Sequence, residues 1–340
     1  MLSTAYTMSL PSGSSSPRLG CRRFRNRTLA KWVRRDRFYQ YSLCSMGAKQ
    51  AVPIQTNVAA NLCRRQDYDN LATVYDSQNM ETAAMHNVTL VRVGPENLAE
   101  YGIGCIRDRE NPGYRRKVEW LRKRFDEGLR FLLLRDEREK PLGFLEYVPG
   151  EFAWRPVDAQ GWLFVHCLWV FAAGQRIGGL GRRLILACVE EAGRAGSTGV
   201  AAMVSDGTWM AGREVFLNSG FKKIAERDRF ELVVHRLGDG AEPRFRDITN
   251  DSAKSRGLHV VYADQCPMLS KSVNDLCEMA AEYDLKLRVT VLKSAHEAQN
   301  APSYYGAFSL LWNGRLLSDH YVSKGRFRNI LREEILNEKE

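Results

Sequence analysis

The sequence of 340 residues lacks several features that would assign it directly to a function class. Its longest apolar stretch, residues 161–174, contains His166 and is shorter than the roughly 20 residues that a membrane helix needs, so we expect no membrane partner. None of its eight cysteines forms a Cys-x-x-Cys pair, so the sequence has neither a zinc-ribbon nor a dithiol motif, and we expect no metal. Scattered single cysteines are typical of a reducing compartment.

Acidic residues are nearly absent from the first 50 residues, which hold ten Lys and Arg and one Asp. This segment carries +9 of the formal net charge of +10, so the other 290 residues are close to neutral. We therefore expect no nucleic-acid binding apart from this basic arm. An Arg- and Ser-rich, acid-poor N-terminus resembles a mitochondrial transit peptide, but a disordered arm or non-native sequence upstream of a later start fits equally. The expected location is cytoplasmic, or mitochondrial if the arm is a transit peptide.

Hydrophobic periodicity divides the chain into two patterned regions. We predict a basic, disordered arm and linker at 1–86, a first domain at 87–237, a linker at 238–256 and a second domain at 257–340. The first domain contains a nearly all-apolar central strand at 162–170 and an amphipathic helix at 180–194. The second contains a hairpin around Asn313-Gly314. The predicted fold class is α/β, with a mixed, largely antiparallel sheet flanked by helices and then a small α/β domain.

A glycine-rich loop between the central strand and the amphipathic helix is the most specific motif. It has the spacing Arg176-x-x-Gly179-x-Gly181. Glycines let the backbone approach a ligand, and a helix N-terminus offers unpaired N–H groups, so the pattern predicts a phosphate-binding cradle. No Gly-Lys-Ser/Thr follows, which excludes a Walker loop. The strand is fourth in order, which argues against a dinucleotide-binding fold.

This motif and this order of elements resemble the GNAT superfamily of acetyl-CoA-dependent N-acyltransferases, over about residues 87–237. The resemblance implies that strand 163–170 splays from strand 199–204, and that the pantetheine arm lies between them, bonded near Leu168 and Val170. Acetyl-CoA is then the co-substrate, and a small-molecule or peptide amine is the acceptor. The implied pyrophosphate site consists of Arg176, Ile177, Gly178, Gly179, Leu180 and Gly181, with Arg182 beside it.

The second domain is similar to the YoaP-type C-terminal domains that are fused to GNAT domains, on segments 257–267, 297–302 and 308–314. A strand followed by Cys266-Pro267 and a helix also resembles thioredoxin-like folds, so a thioredoxin-like domain is expected. A thiol at a helix N-terminus is expected to have a lowered pKa, which makes Cys266 a candidate reactive thiol. Position 269 is Leu269 and not a resolving cysteine, so a dithiol oxidoreductase is not expected, and a packed structural cysteine is the alternative.

Three side chains are candidates for the base that deprotonates the amine, and we expect one of them to act: His166, Glu146 and Asp206. Each also has a structural interpretation, as a core histidine, a solvated strand residue and a turn residue. Side chains alternate along a strand, so Cys167 is expected to point to the opposite face of the sheet from His166. The Tyr that many GNAT enzymes use as acid is replaced here by Phe216.

The predicted function is direct acetyl transfer to a primary amine in a ternary complex. Two alternatives stay open. One is a non-catalytic GNAT scaffold that binds CoA or a partner, and the other is a thiol-dependent protein that uses Cys266. The sequence does not indicate the acceptor or the oligomeric state.

Overall fold

The computed structural model describes residues 87–171, 178–248 and 256–336. We call 87–248 the N-terminal module and 256–336 the C-terminal module. The predicted basic arm, Arg176 and Ile177 lie outside the described residues, as does part of the predicted linker.

Seven strands form the sheet of the N-terminal module, in the order β1-β2-β3-β4-β5-β7-β6. Every neighbouring pair is antiparallel except β4 and β5, which run parallel. The predicted mixed, largely antiparallel sheet is therefore confirmed. The strands are β1 Thr89–Val93, β2 Arg130–Arg135, β3 Pro141–Pro149, β4 Leu163–Val170, β5 Gly199–Val204, β6 Lys222–Arg227 and β7 Phe230–Arg236.

Helices cover both faces of this sheet. They are α1 Leu98–Tyr101, α2 Pro112–Asp126, α3 Leu180–Arg194 and α4 Arg213–Leu217. Alternation along each strand sends Phe131 to one apolar cluster with Trp120 of α2, and Leu132 to another with Leu184 of α3. We call these clusters the α2 face and the α3 face. Apolar spacing over residues 117–129 predicts a helix that begins at Lys117. Helix α2 begins five residues earlier, because the Asn111 side chain caps its first turn.

The C-terminal module has a four-stranded sheet in the order β9-β8-β10-β11. Strands β8 and β9 are parallel and joined by α5, whereas β8–β10 and β10–β11 are antiparallel. The elements are β8 Leu258–Tyr262, α5 Pro267–Glu282, β9 Leu287–Val291, α6 Ala295–Gln299, β10 Phe308–Trp312, β11 Arg315–Ser318 and α7 Lys324–Ile330. The predicted strand–helix–strand unit and the hairpin at Asn313-Gly314 are confirmed.

The two modules share one core. The α2-face cluster that contains Trp154 and Phe164 continues into Leu269 and Phe308 of the C-terminal module. The described part of the predicted linker also packs on the N-terminal module, where residues 244–245 pair with residues 157–158. The C-terminal module therefore covers the α2 face of the larger sheet.

Candidate functional site

The parallel pair β4 and β5 separates part-way along its length. Residues Leu163–Val165 of β4 pair with Val200–Ala202 of β5, and the recorded pairing ends there although both strands continue. A wedge therefore opens between the carboxyl halves of two central strands. The predicted splay is seen in the structure, and Leu168 and Val170 lie on the β4 side of the wedge.

A bulge in β4 lies where the wedge begins. Glu146 of β3 pairs with Cys167, whereas the next β3 residue, Tyr147, pairs with Val165. His166 is therefore the extra residue of the bulge. The His166 ring packs near Trp120 on the α2 face, and Cys167 packs against the same cluster. The expectation that Cys167 lies opposite His166 is wrong, because the bulge breaks the alternation of the strand.

The glycine turn lies just beyond the carboxyl end of β4. Gly178 and Gly179 have φ values of +75° and +59°, which favour glycine, and Gly179 is the N-cap of α3. A Cβ at Gly181 would lie 3.1 Å from a Val215 methyl group of α4, so glycine lets α3 and α4 pack closely. In the part of the chain that the structure describes, no side chain caps this helix end.

Among the described residues, no side chain caps the amides of Leu180, Gly181 and Arg182 at the start of α3. A helix N-terminus of this kind offers N–H groups and the positive end of the helix dipole. Leu180 is buried beneath this turn, and Arg182 is exposed beside it. Backbone donors and one exposed cation fit a diphosphate group.

Comparison with solved structures finds similarity to acetyltransferases. One is yncA, a putative acetyltransferase from Salmonella typhimurium with acetyl-CoA, at 17% identity over 46% of this chain and 98% of that chain, with a TM-score of 0.34. Another is the GNAT protein YhbS from Escherichia coli in complex with CoA, at 16% identity over 44% of this chain and 81% of that chain, with a TM-score of 0.31.

The sequence comparisons give two matches. Residues 287–329 match the family described as YoaP-like. Over 220 residues, 63% of this chain and 86% of the relative, the chain is 28% identical to the uncharacterized N-acetyltransferase YoaP of Bacillus subtilis (strain 168). By sequence, the chain is therefore similar to an N-acetyltransferase, and its residues 287–329 are YoaP-like.

Two of the three candidate bases belong to a buried network. The Nε2 atom of His166 accepts a hydrogen bond from the backbone N–H of Trp154 at 2.9 Å, so in the neutral ring Nδ1 carries the proton. That Nδ1 lies 3.4 Å from Oε1 of Glu146. Burial lowers the pKa of His166 to about 4. The ring is therefore neutral near pH 7, and its lone pair already has a partner.

Glu146 is ionised within the same network. Its Oε2 is paired with the buried ammonium group of Lys117, and its Oε1 accepts a hydrogen bond from Gln265 of the YoaP-like module at 3.2 Å. Burial works against the charge of Glu146, but Lys117 and the His166 hydrogen bond outweigh burial and lower the pKa of Glu146 to about 2. The geometry favours a structural role for this carboxylate.

Asp206, the third candidate, lies in the loop between β5 and α4. Its side chain is 63% exposed, and a carboxylate oxygen lies 3.6 Å from Nε of Arg213. The position is at the carboxyl end of β5, beside the mouth of the wedge. Of the three candidates, Asp206 is the one that solvent and an acceptor reach directly.

Three thiols lie on the α2 face: Cys105 of the loop after α1, Cys167 of the bulge and Cys266 before α5. Burial raises the pKa of Cys105 to about 12, and burial also raises the pKa of Cys167. Burial raises the pKa of Cys266 too, although backbone hydrogen bonds from Met268 and Leu269 work in the other direction. The expected lowering of the Cys266 pKa is therefore wrong, because burial outweighs the helix N-terminus.

Several residues of the shared network were not predicted as functional. Arg155 is buried, donates from Nη1 to Oε1 of Gln265 at 2.9 Å, and lies over the Tyr305 ring. The sequence does indicate that Lys117 is unusual, because this lysine lies four residues before Leu121 on the apolar face of α2. A lysine at such a position requires a buried partner.

Residues 87–171, 178–248 and 256–336 contain neither a membrane-spanning helix nor a cluster of metal ligands. None of their helices combines the length and apolarity that a bilayer crossing requires. Nor do three or more His, Cys, Asp or Glu side chains in these ranges come together in an arrangement that could hold a metal ion.

Proposed function

We propose that the protein transfers the acetyl group of acetyl-CoA directly to a primary amine within a ternary complex. The wedge between β4 and β5, with the glycine turn at its mouth, supports this proposal most strongly. Strands β4 and β5 pair at three positions and then separate, and we place an extended pantetheine arm in the gap between them. We assign the pyrophosphate to the amides of Gly179, Leu180 and Gly181, with Gly178 and Arg182 beside them. The motif adds Arg176 and Ile177, which lie outside the described residues.

The chemistry requires a neutral amine, a polarised thioester carbonyl and a proton for the leaving thiolate. In the proposed complex, backbone near Leu168 and Val170 orients the thioester, and the bulge at His166 aims backbone N–H groups toward the carbonyl. Phe216 is buried against Phe221 and offers no proton. The thiolate therefore takes its proton from the reacting amine or from water, and positioning supplies much of the rate.

The YoaP-like module contributes to the acceptor side in this proposal. The strand order β9-β8-β10-β11, with α5 joining the parallel pair, supports a thioredoxin-like arrangement for it. The module covers the α2 face beside the thioester position, which favours a small acceptor or the end of an extended peptide.

Steady-state transfer assays test this proposal. Purified protein is incubated with acetyl-CoA and a panel of small amines, amino acids and peptide amines, and the amide is quantified by mass spectrometry. The expected result is saturable formation of amide and CoA in equal amounts with at least one amine. Saturable acetyl-CoA binding without turnover on every class of amine would favour the non-catalytic scaffold instead.

A further inference from the structure

A short segment after β11 connects the C-terminal module to the mouth of the wedge. Asp319 accepts two hydrogen bonds from Arg229, which lies just before β7, at 2.9 Å from Nε and 3.0 Å from Nη2. The same guanidinium donates from Nη1 to the Thr208 carbonyl at 3.2 Å and to Oγ of Ser205 at 3.3 Å. Ser205 directly follows β5, so Arg229 fixes Asp319 beside the carboxyl end of that strand.

His320 is held by this carboxylate. Its Nδ1 lies 2.6 Å from Oδ1 of Asp319. Burial alone would raise the pKa of Asp319, but hydrogen bonds from His320 and Arg229 lower it to about 2, so the group is ionised and accepts only. The Nδ1 atom of His320 therefore carries a proton, and Nε2 has a free lone pair in the neutral ring. The His320 side chain is 33% exposed.

Aromatic packing places the same segment against the N-terminal module. The Tyr321 ring lies 4.9 Å from the Trp209 ring, centroid to centroid. Trp209 has a φ of +67°, a left-handed conformation that is costly for an aromatic residue. The loop that carries Trp209 also carries Asp206. The contact between Trp209 and Tyr321 crosses the module boundary. It thus holds the His320 segment next to the loop between β5 and α4, at the cost of backbone strain at Trp209.

We propose that His320 is the general base that takes a proton from the acceptor amine, and that Asp319 is its positioning residue. The proposal rests on the proposed acetyl transfer. The Nε2 atom of His320 removes one proton from the ammonium form of the acceptor. The neutral nitrogen then bonds to the acetyl carbon as the carbon–sulfur bond breaks, the second nitrogen proton goes to the CoA thiolate, and His320 releases its proton to water.

The arrangement explains why the module is fused to the transferase. His166 and Glu146 already have buried partners, whereas the His320 side chain is 33% exposed and its Nε2 has no hydrogen-bond partner among the described residues. The segments that pack near His320 carry several charged groups. Asp319 lies in its own segment and Arg229 lies just before β7. Asp206 lies in the loop before α4, and Arg213 is the first residue of α4. Lys271 and Asp275 of α5 lie beside Tyr321.

The test compares wild-type protein with His320→Gln, His320→Asn and Asp319→Asn, using kcat/KM against pH and the Kd of acetyl-CoA. His320→Gln is expected to lower kcat/KM by roughly 10²- to 10³-fold, to remove the acidic limb of the pH profile, and to leave the acetyl-CoA Kd unchanged. His320→Asn checks the result independently if the glutamine variant fails to fold. Asp319→Asn is expected to lower kcat and to leave the acetyl-CoA Kd unchanged, a split that general loss of packing would not produce. His296→Gln, at an exposed histidine of α6, is the matched control and is expected to be unchanged.

A wild-type rate and an unchanged acidic limb in a folded His320 variant would overturn this inference and leave the proposed function intact. Absence of transfer by the wild-type protein on every amine would overturn the proposed function, and this inference with it.

Discussion

Gln265 of the C-terminal module donates its side-chain amide to the buried Glu146 carboxylate of β3 at 3.2 Å. The same Gln265 accepts a hydrogen bond from Arg155 through its carbonyl oxygen. One amide therefore satisfies an anion and a cation of the N-terminal module at once. Removal of the C-terminal module would leave both buried charges without these partners, which is a physical reason for the two modules to fold as one unit.

The buried pair of Lys117 and Glu146 gives the first prediction. Lys117→Met leaves Glu146 buried without its cation, and we expect a loss of about 3–5 kcal/mol in the free energy of unfolding. Urea denaturation at pH 7 measures this loss. The double variant Lys117→Met/Glu146→Gln removes both charges and is expected to recover part of it.

Lys271 provides the matched control for this substitution. It is 63% exposed and pairs with Asp275 on α5. Lys271→Met is expected to cost less than about 1 kcal/mol, as exposed pairs do. Equal losses for the two lysine variants would contradict the role assigned to Lys117.

The pH dependence of stability gives the second prediction. The pKa of His166 is about 4 in the folded protein, against an ordinary value of 6.5. Between pH 4 and 6.5 the His166 ring is protonated in the unfolded chain but neutral in the folded protein. The free energy of unfolding is therefore expected to fall as pH falls from about 6.5 to 4. Glu146, with its pKa lowered to about 2, adds a further loss in the same direction at lower pH, below its ordinary value of 4.5.

Urea midpoints at pH 7, 6, 5 and 4.5 measure this slope. His166→Asn keeps an oxygen that can accept the Trp154 N–H but cannot titrate, so its midpoint is expected to change less over this range than that of the wild type. The same slope in both proteins would show that His166 is not responsible for the acid sensitivity.

The thiols give the third prediction. Burial raises the pKa of both Cys266 and Cys277, but the Cys277 thiol on α5 is exposed, whereas Cys266, just before that helix, is half-buried. Iodoacetamide at pH 7 is therefore expected to label Cys277 faster than Cys266 in the native protein, and the two rates should converge in urea. Peptide mass spectrometry follows both sites. Preferential labelling of native Cys266 would revive the thiol-dependent alternative.

Much of the fold followed from local patterns. Apolar and amphipathic patterns predicted the central strand at 162–170 and the helix at 180–194, close to the observed Leu163–Val170 and Leu180–Arg194, because both elements are buried against neighbours. The glycine turn was also predictable, since Gly179 precedes an amphipathic helix directly after a buried strand. The start of α2 was placed too late, because the cap at Asn111 precedes the apolar periodicity.

The rest of the site depends on contacts between distant segments. The bulge at His166 arises from register with β3 and leaves no local pattern, so the side to which Cys167 points was predicted wrongly. The pairing of Asp319 with Arg229 joins residues 90 positions apart. Single-sequence periodicity carries no information on such a pair, and the same holds for the bond between Glu146 and Gln265.

The central claim is that the glycine turn at α3 binds the pyrophosphate of acetyl-CoA. Gly179→Glu places a carboxylate at this turn, where it repels the pyrophosphate. Gly196→Glu is the matched control, because Gly196 also has a positive φ, of +66°, lies at the opposite end of the same helix and has no atom within 4 Å of an added Cβ. Both variants therefore carry the same added charge and a similar backbone strain.

Isothermal titration of acetyl-CoA into the wild type and these two variants is the most direct measurement, with circular dichroism to establish that all three are folded. We expect saturable binding with the same Kd for the wild type and Gly196→Glu, and a Kd at least about tenfold weaker for Gly179→Glu, a difference of about 1.4 kcal/mol. Folded Gly179→Glu protein that binds acetyl-CoA with the wild-type Kd would contradict the account.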